Sequence, residues 1–254
     1  MRKNVLFFGL AFLIWASSAP AITYPPDRPL FIGHRGAPAL ADENTLESLQ
    51  LAVELGVDMV EFDIQRTRDG VFVLMHDETV NRTTDGTGRV DQMTLEEFKK
   101  LKTTSGFTPP TLEQTLLWLS TNEVYFILDF KITDPDQAAE LIALVEAHGL
   151  LDRAVFESPD PKVVAMVEQM RPDIITAVYP LNMPMMRYYL YKYDIDIASY
   201  QYLFVNPLEL FLAQKQGKRV IVWTVNSPGL VKWFIKLGVD GIMSDDPRLF
   251  NIEE

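Results

Sequence analysis

Residues 31–77 read FIGHRGAPALADENTLESLQLAVELGVDMVEFDIQRTRDGVFVLMHD. Two of the chain's three histidines, His34 and His76, lie in this stretch. Between them stands Glu61-Phe62-Asp63, with carboxylates on alternate residues. Met59 to Gln65 alternates and is rich in Val, Phe and Ile, which predicts a strand. In a strand, residues two apart project to the same side, so Glu61 and Asp63 point together. Two acidic groups side by side repel unless a cation or a proton lies between them. A hard divalent metal flanked by two imidazoles is the first expectation.

Outward from this strand, the pattern is local and regular. Leu30 to Gly33 is a short apolar strand ending at His34-Arg35-Gly36. Thr45 to Leu55 has helical spacing, with Asn44 or Thr45 as its cap and Gly56 at its end. Asp69-Gly70 predicts a hairpin turn into a second strand, Val71 to Met75, which stops at His76. Residues 79–110 have a different texture, with turn residues and a short amphipathic helix over Thr94–Leu101. They are expected to form an insertion that covers the site. From Thr111 onward, strands beginning near 125, 154, 174, 197, 220 and 241 alternate with helices. With those at 30 and 59 they make eight. Strand–helix alternation argues for a parallel sheet, and eight units in this length argue for a closed (β/α)8 TIM barrel. One catalytic domain over 30–250 is expected, with the insertion after the second β/α unit.

Composition narrows the function. The chain has 254 residues and 48% apolar content, enough for one sizeable core. Its net charge of −12 argues against nucleic acid as a partner, since phosphate backbones need a basic face. It also argues against simple electrostatic docking on anionic lipid. There is no cysteine, so disulfides and thiolate sites are excluded. At the N-terminus, Arg2 and Lys3 precede an apolar run, Val5 to Ala16, followed by small residues to Ala21. This is the layout of a signal peptide over 1–21, shorter than a spanning helix. Export to the periplasm or exterior is expected, with an uncleaved membrane anchor as the alternative.

The polar residues fall at strand ends, where this fold builds its sites. His34 ends the first strand, Asp129 and Lys131 the third, Glu157 the fourth, Trp223 and Asn226 the seventh, and Asp245 the eighth. Carboxylates from neighbouring strands, without cysteine, favour Ca²⁺ or Mg²⁺ over zinc. Arg35 and Lys131 add positive charge for an anion. Two histidines suit a general acid and a general base.

These residues carry a resemblance. His34-Arg35-Gly36, Glu43-Asn44-Thr45, Glu61-x-Asp63 and His76-Asp77 closely resemble the opening of the glycerophosphodiester phosphodiesterase family. RTTDGTG at 82–88, PTLEQ at 110–114, VWTVN at 222–226 and GVDGIMSDDP at 238–247 match more loosely. The resemblance implies a (β/α)8 barrel and metal-dependent hydrolysis of glycerophosphodiesters to sn-glycerol 3-phosphate and an alcohol. It implies His34 and His76 as the acid–base pair, Glu61 and Asp63 as metal ligands, and Arg35 and Lys131 as phosphate contacts. The family's third ligand is typically the Glu of Leu-Glu-x-Lys; here the motif reads Leu128-Asp129-Phe130-Lys131, one methylene shorter. The cofactor implied is one divalent cation, Ca²⁺ or Mg²⁺.

Other residues admit plainer readings. Glu157 either supports the site or, as favoured, only ends a strand. Trp223 is barrel packing or a wall of the glycerol pocket. Asp245 is expected as a turn former before Pro247. His148 is expected to sit at a helix C-terminus for structural reasons. Asn81-Arg82-Thr83 is a glycosylation sequon by pattern and is read as a turn. Residues 183–211 are rich in Met, Tyr and Phe. Helix packing is the favoured reading, with membrane or acyl-chain contact as the alternative. Two rival functions follow: a lysophospholipase D acting at a membrane, and an inactive barrel that binds solutes.

Overall fold

The computed structural model describes residues 22–23, 25, 27–131, 134–179 and 183–251. The expected leader at 1–21 lies outside them.

Short β-rich runs become β1 (Leu30–Gly33), β2 (Met59–Arg66), β4 (Tyr125–Phe130), β5 (Ala154–Ser158), β6 (Ile175–Val178), β7 (Ile197–Gln201), β8 (Arg219–Trp223) and β9 (Gly241–Ser244). All eight pair in parallel, in the order β1-β2-β4-β5-β6-β7-β8-β9, and β9 pairs back onto β1. The sheet is therefore a closed (β/α)8 barrel, as expected. β3 (Phe72–Leu74) is the hairpin strand, antiparallel to β2. The helices are α1 (Leu46–Glu54), α2 (Leu95–Phe98), α3 (Leu112–Leu119), α4 (Pro135–Ala147), α5 (Pro161–Met170), α6 (Met183–Lys192), α7 (Pro207–Lys215) and α8 (Pro228–Leu237). Pro at the first turn of α4, α5, α7 and α8 fixes φ where no donor is needed.

Residues 79–110 form an excursion between β3 and α3 with a small core of its own, built from Val80, Val90, Phe98 and Leu101 against Val73 and Met75. Its helix is shorter than expected. A capping box between Thr94 and Glu97 starts it, but after Phe98 the bonds tighten to i→i+3, from Lys100 to Glu97 and from Leu101 to Phe98. Asn81 is used in the turn, its side chain accepting from the Gly88 amide at 2.8 Å. His148 caps α4, its ring nitrogen donating to the Leu144 carbonyl at 2.9 Å.

Inside the barrel, side chains from alternate strands stack in layers. Met59, Val155 and Ile197 form one apolar layer, and Ile32, Ile127, Ala177 and Ile221 another. Gly241 completes the first because a side chain there would strike Ile221 and Ile32. Two residues further along the same strands the character turns polar, Met243 and Trp223 apart. The first set becomes Glu61, Glu157, Ser199 and Met243; the second becomes His34, Asp129, Tyr179 and Trp223. The C-terminal ends of the strands thus open on a polar chamber above an apolar plug. Ile22 joins that plug, so the chain enters from the N-terminal end.

Candidate active site

The loop after β1 is set by backbone shape. Arg35 and Asn44 both adopt left-handed φ, 52° and 56°, which costs energy for non-glycine residues. Gly36 has φ 90°, and a Cβ on it would lie 2.5 Å from the backbone of Ser48. The turn is pinned to α1: the Ala37 amide donates to the Ser48 hydroxyl, which donates to the Arg35 carbonyl. This aims the Arg35 amide at Glu61 Oε2, 2.7 Å away. The Asn44 side-chain amide donates to Asp63 Oδ2 at 2.8 Å, while its oxygen accepts from the Asp63 amide at 3.0 Å. Thr45 caps α1, and Glu43 lies between the guanidinium groups of Arg35 and Arg82.

Seven of the eight candidate residues line one cavity of about 90 Å³: His34, Arg35, Glu61, Asp63, His76, Asp129 and Trp223. Lys131 stands at its edge, its ammonium 3.8 Å from Asp63 Oδ1 and donating to the His76 carbonyl at 3.2 Å. The cavity is small and half open to solvent. An adjoining groove of about 560 Å³ shares His34 and Arg35 and is walled in part by Pro38, Ala39 and Leu249.

Each histidine is held by a carboxylate. His34 Nδ1 donates to Asp245 Oδ1 at 2.6 Å, and Asp245 is steadied by the Asn226 amide. His76 Nδ1 donates to Asp77 Oδ1 at 2.6 Å, and Asp77 is held by Arg82 of the insertion. Both rings keep Nε2 free of those contacts. The turn role expected of Asp245 belongs to its neighbour Asp246, which caps the turn at Pro247–Phe250. Asp245 and Asp77 as orienting groups, Asn44 and Tyr179 were not expected from sequence. Asp245 had one signal: two adjacent aspartates follow β9, and only one is needed as a cap. Tyr179 had only its place at a strand end. Its hydroxyl lies 2.8 and 2.9 Å from the two Asp129 oxygens, and its ring meets Trp223 edge-on at 5.8 Å. Trp223 is therefore a wall of the cavity. Glu157, too, is in the cavity and not merely at a strand end.

Glu61, Asp63 and Asp129 present oxygens that all lie within 4.8 Å of one another. Burial pushes the Glu61 carboxyl well above its ordinary range, and the charges of Asp63 and Asp129 push the same way. Asp129 is raised likewise by burial, then by Asp63 and Glu157. Burial would raise Asp63 as well, but Arg35, His76 and Lys131 outweigh it and hold that carboxyl low. Glu157 is pushed up to about 7 by burial, with the Ser199 hydroxyl opposing and Asp63 adding. This donor set is all oxygen, buried and rich in negative charge, and fits a hard divalent cation. Asp129, though short, still reaches the other two.

A closed barrel that turns acidic oxygens, two carboxylate-held imidazoles and a guanidinium into one small chamber is a barrel suited to a small anion. The chain belongs to the glycerophosphoryl diester phosphodiesterase family, whose model matches residues 34–249. A glycerophosphodiester phosphodiesterase of Caldanaerobacter subterraneus is 30% identical over 230 residues, covering 86% of this chain and 95% of that one. Two solved structures are similar in fold. A glycerophosphodiester phosphodiesterase from Agrobacterium tumefaciens is 25% identical with a TM-score of 0.77, covering 87% of this chain and 98% of that one. An Oleispira antarctica phosphodiesterase in complex with the product sn-glycerol-3-phosphate is 26% identical with a TM-score of 0.77, covering 87% and 94%.

Proposed function

We propose that this protein hydrolyses glycerophosphodiesters to sn-glycerol 3-phosphate and an alcohol, with one divalent cation held by Glu61, Asp63 and Asp129. The observation that carries this reading is the carboxylate triad placed in one cavity between two histidines, each oriented by its own aspartate. A Ca²⁺ or Mg²⁺ ion bound there supplies positive charge to the phosphoryl oxygens. Arg35 and Lys131 bring further positive charge to the diester. One imidazole takes the proton of the attacking hydroxyl, either water or the glycerol hydroxyl next to the phosphate. The other gives a proton to the departing alcohol, so the P–O bond breaks without releasing an alkoxide. Asp245 and Asp77 fix the tautomer by holding each Nδ1 proton, leaving each Nε2 for the chemistry. The Trp223 ring walls the glycerol end. A barrel used only to bind solutes would need no such pair of oriented imidazoles.

A lysophospholipase D reading draws on one observation: Leu203, Leu208 and Phe211, just beyond the end of β7 and on α7, are all more than half exposed. In the same segment Met186, Leu190, Val205 and Leu210 are buried, so packing accounts for its inner face. We further propose that the chain is exported. What supports export is the layout of residues 1–21, with Arg2 and Lys3 before an apolar run and small residues up to Ala21. Among the described residues no helix is long and apolar enough to cross a membrane.

The test is a substrate panel of glycerophosphocholine, glycerophosphoethanolamine and lysophosphatidylcholine, with and without EDTA. Turnover of the glycerophosphodiesters, abolished by EDTA and restored by Ca²⁺ or Mg²⁺, is expected. Hydrolysis of none would overturn the reading, and faster turnover of the lysolipid would replace it with the second.

A further inference from the structure

Glu157 is a carboxylate of the cavity to which the proposed chemistry gives no task. It lies on β5 directly beside Asp129, its Cα partner on β4. Its layer also holds Glu61 and Ser199, one step below His34, Asp129 and Tyr179. It is 4% exposed. The other three acids all have donors: Glu61 the Arg35 amide, Asp63 the Asn44 amide, and Asp129 the Tyr179 hydroxyl. Among the described residues, Glu157 Oε1 is buried without a hydrogen-bond partner, and so is Ser199 Oγ in the same layer.

Buried polar atoms in folded proteins are nearly always partnered, and an unpartnered buried carboxylate is costly. The plug of Met59, Val155 and Ile197 closes the layer from below. The Ser199 hydroxyl can turn its proton toward this carboxylate, and any further partner must come through the cavity and be small and positive or bring donors. We propose that Glu157 is a fourth acidic residue of the cation site, acting from the layer it shares with Glu61, beneath Asp63 and Asp129, with the Ser199 hydroxyl beside it.

This rests on the reading of those three as cation ligands. Glu157 is not among the oxygens grouped within 4.8 Å, so it contributes its charge and its free oxygen from below. Asp129 is short and already tied to Tyr179, and a carboxylate on the adjacent strand offsets that limit. Outer partners of this kind are worth roughly 10–100-fold in metal affinity.

Calorimetric titration of the purified protein with Ca²⁺ separates the possibilities. Wild type is expected to bind the ion, and Glu157→Gln, which keeps shape and removes charge, to bind it roughly 10–100-fold more weakly. The metal-free Gln variant should melt no lower than wild type, because a buried charge has been removed. Should it fail to fold, Glu157→Ser, which leaves room for water, is expected to show the same loss of affinity. Unchanged Ca²⁺ affinity in a folded variant overturns the inference alone. A wild type that binds neither Ca²⁺ nor Mg²⁺ overturns the cation reading, and this inference with it.

Discussion

The lower and upper halves of the barrel interior are made by the same strands with residues two apart, yet they do opposite things. Below, Met59, Ile127, Val155, Ile197 and Ile221 exclude water and stabilise the closed sheet. Above, Glu61, Asp129, Glu157 and Trp223 occupy continuing positions and meet a cavity, as His34 does beyond Ile32. The geometry of a strand carries no preference between these halves. Side-chain chemistry alone divides them, so the upper half keeps its buried acids against the cost of desolvation. A substitution below should change stability and spare chemistry, and one above should do the reverse.

The sharpest break is expected at the histidines. His34→Ala and His76→Ala should each lower kcat by roughly 10²–10⁴-fold, the usual worth of a positioned acid or base. Their unfolding midpoints should stay near wild type. Activity retained in either variant would reassign that histidine to a structural role. The counterpart below is Ile127→Ala. Ile127 is fully buried, and its truncation should cost about 2–5 kcal/mol by denaturant unfolding. Its kcat at a temperature where the variant is folded should be unchanged. A large fall in kcat there would mean that the two halves are coupled through the strands.

A smaller effect divides the two dyads within the upper half. Burial works to raise the Asp245 carboxyl, but His34, Asn226 and Arg35 hold it low. Asp77 is held low by Arg82 first and by His76 after it. Part of Asp77's charge is therefore already matched by a guanidinium. Asp245→Asn should cost roughly 10–100-fold in kcat/KM, the worth of about 1.5–3 kcal/mol for a hydrogen bond to a charged group. Asp77→Asn should cost less. The opposite order would show that Arg82 strengthens the His76 dyad.

What the sequence revealed follows from how far each feature reaches along the chain. All eight barrel strands begin within a residue of their expected positions, because βα alternation is written in local periodicity. Glu61 and Asp63 were legible because their common direction is a property of one strand. The partners of these residues were not. Asn44 meets Asp63 across 19 residues and Asp245 meets His34 across 211. Such contacts depend on register between strands and on loop shape, which no local pattern specifies. Glu157 was misjudged for the same reason: its neighbours Ser199 and Glu61 come from other strands. The helix at 94–101 was overextended because a capping box marks a start and says nothing of the end.

The smallest expected effect lies at the plugged end, where acids also occur, Glu168 and Asp196 among them. Glu168 on α5 accepts from the Thr176 hydroxyl at 2.6 Å, and Asp196 accepts from the Thr176 amide at 2.9 Å. Both carboxyls are raised, by burial first, with Lys218 opposing. A raised carboxyl holds its proton more tightly in the folded state. As pH climbs past the ordinary carboxylate range, the unfolded chain gives up that proton first and folding loses stability; on acidification the penalty disappears. Glu168→Gln keeps an oxygen for Thr176 and removes the charge. Because Glu168 is half-buried and screened by solvent, the gain at pH 7 should stay below about 1 kcal/mol. It should vanish by about pH 4, near the unperturbed carboxylate value. Thermal unfolding of both proteins at the two pH values reads this directly. A variant less stable at pH 7 would mean that Lys218 makes the charge at this end favourable, as Arg35 and Lys131 do for Asp63 at the other.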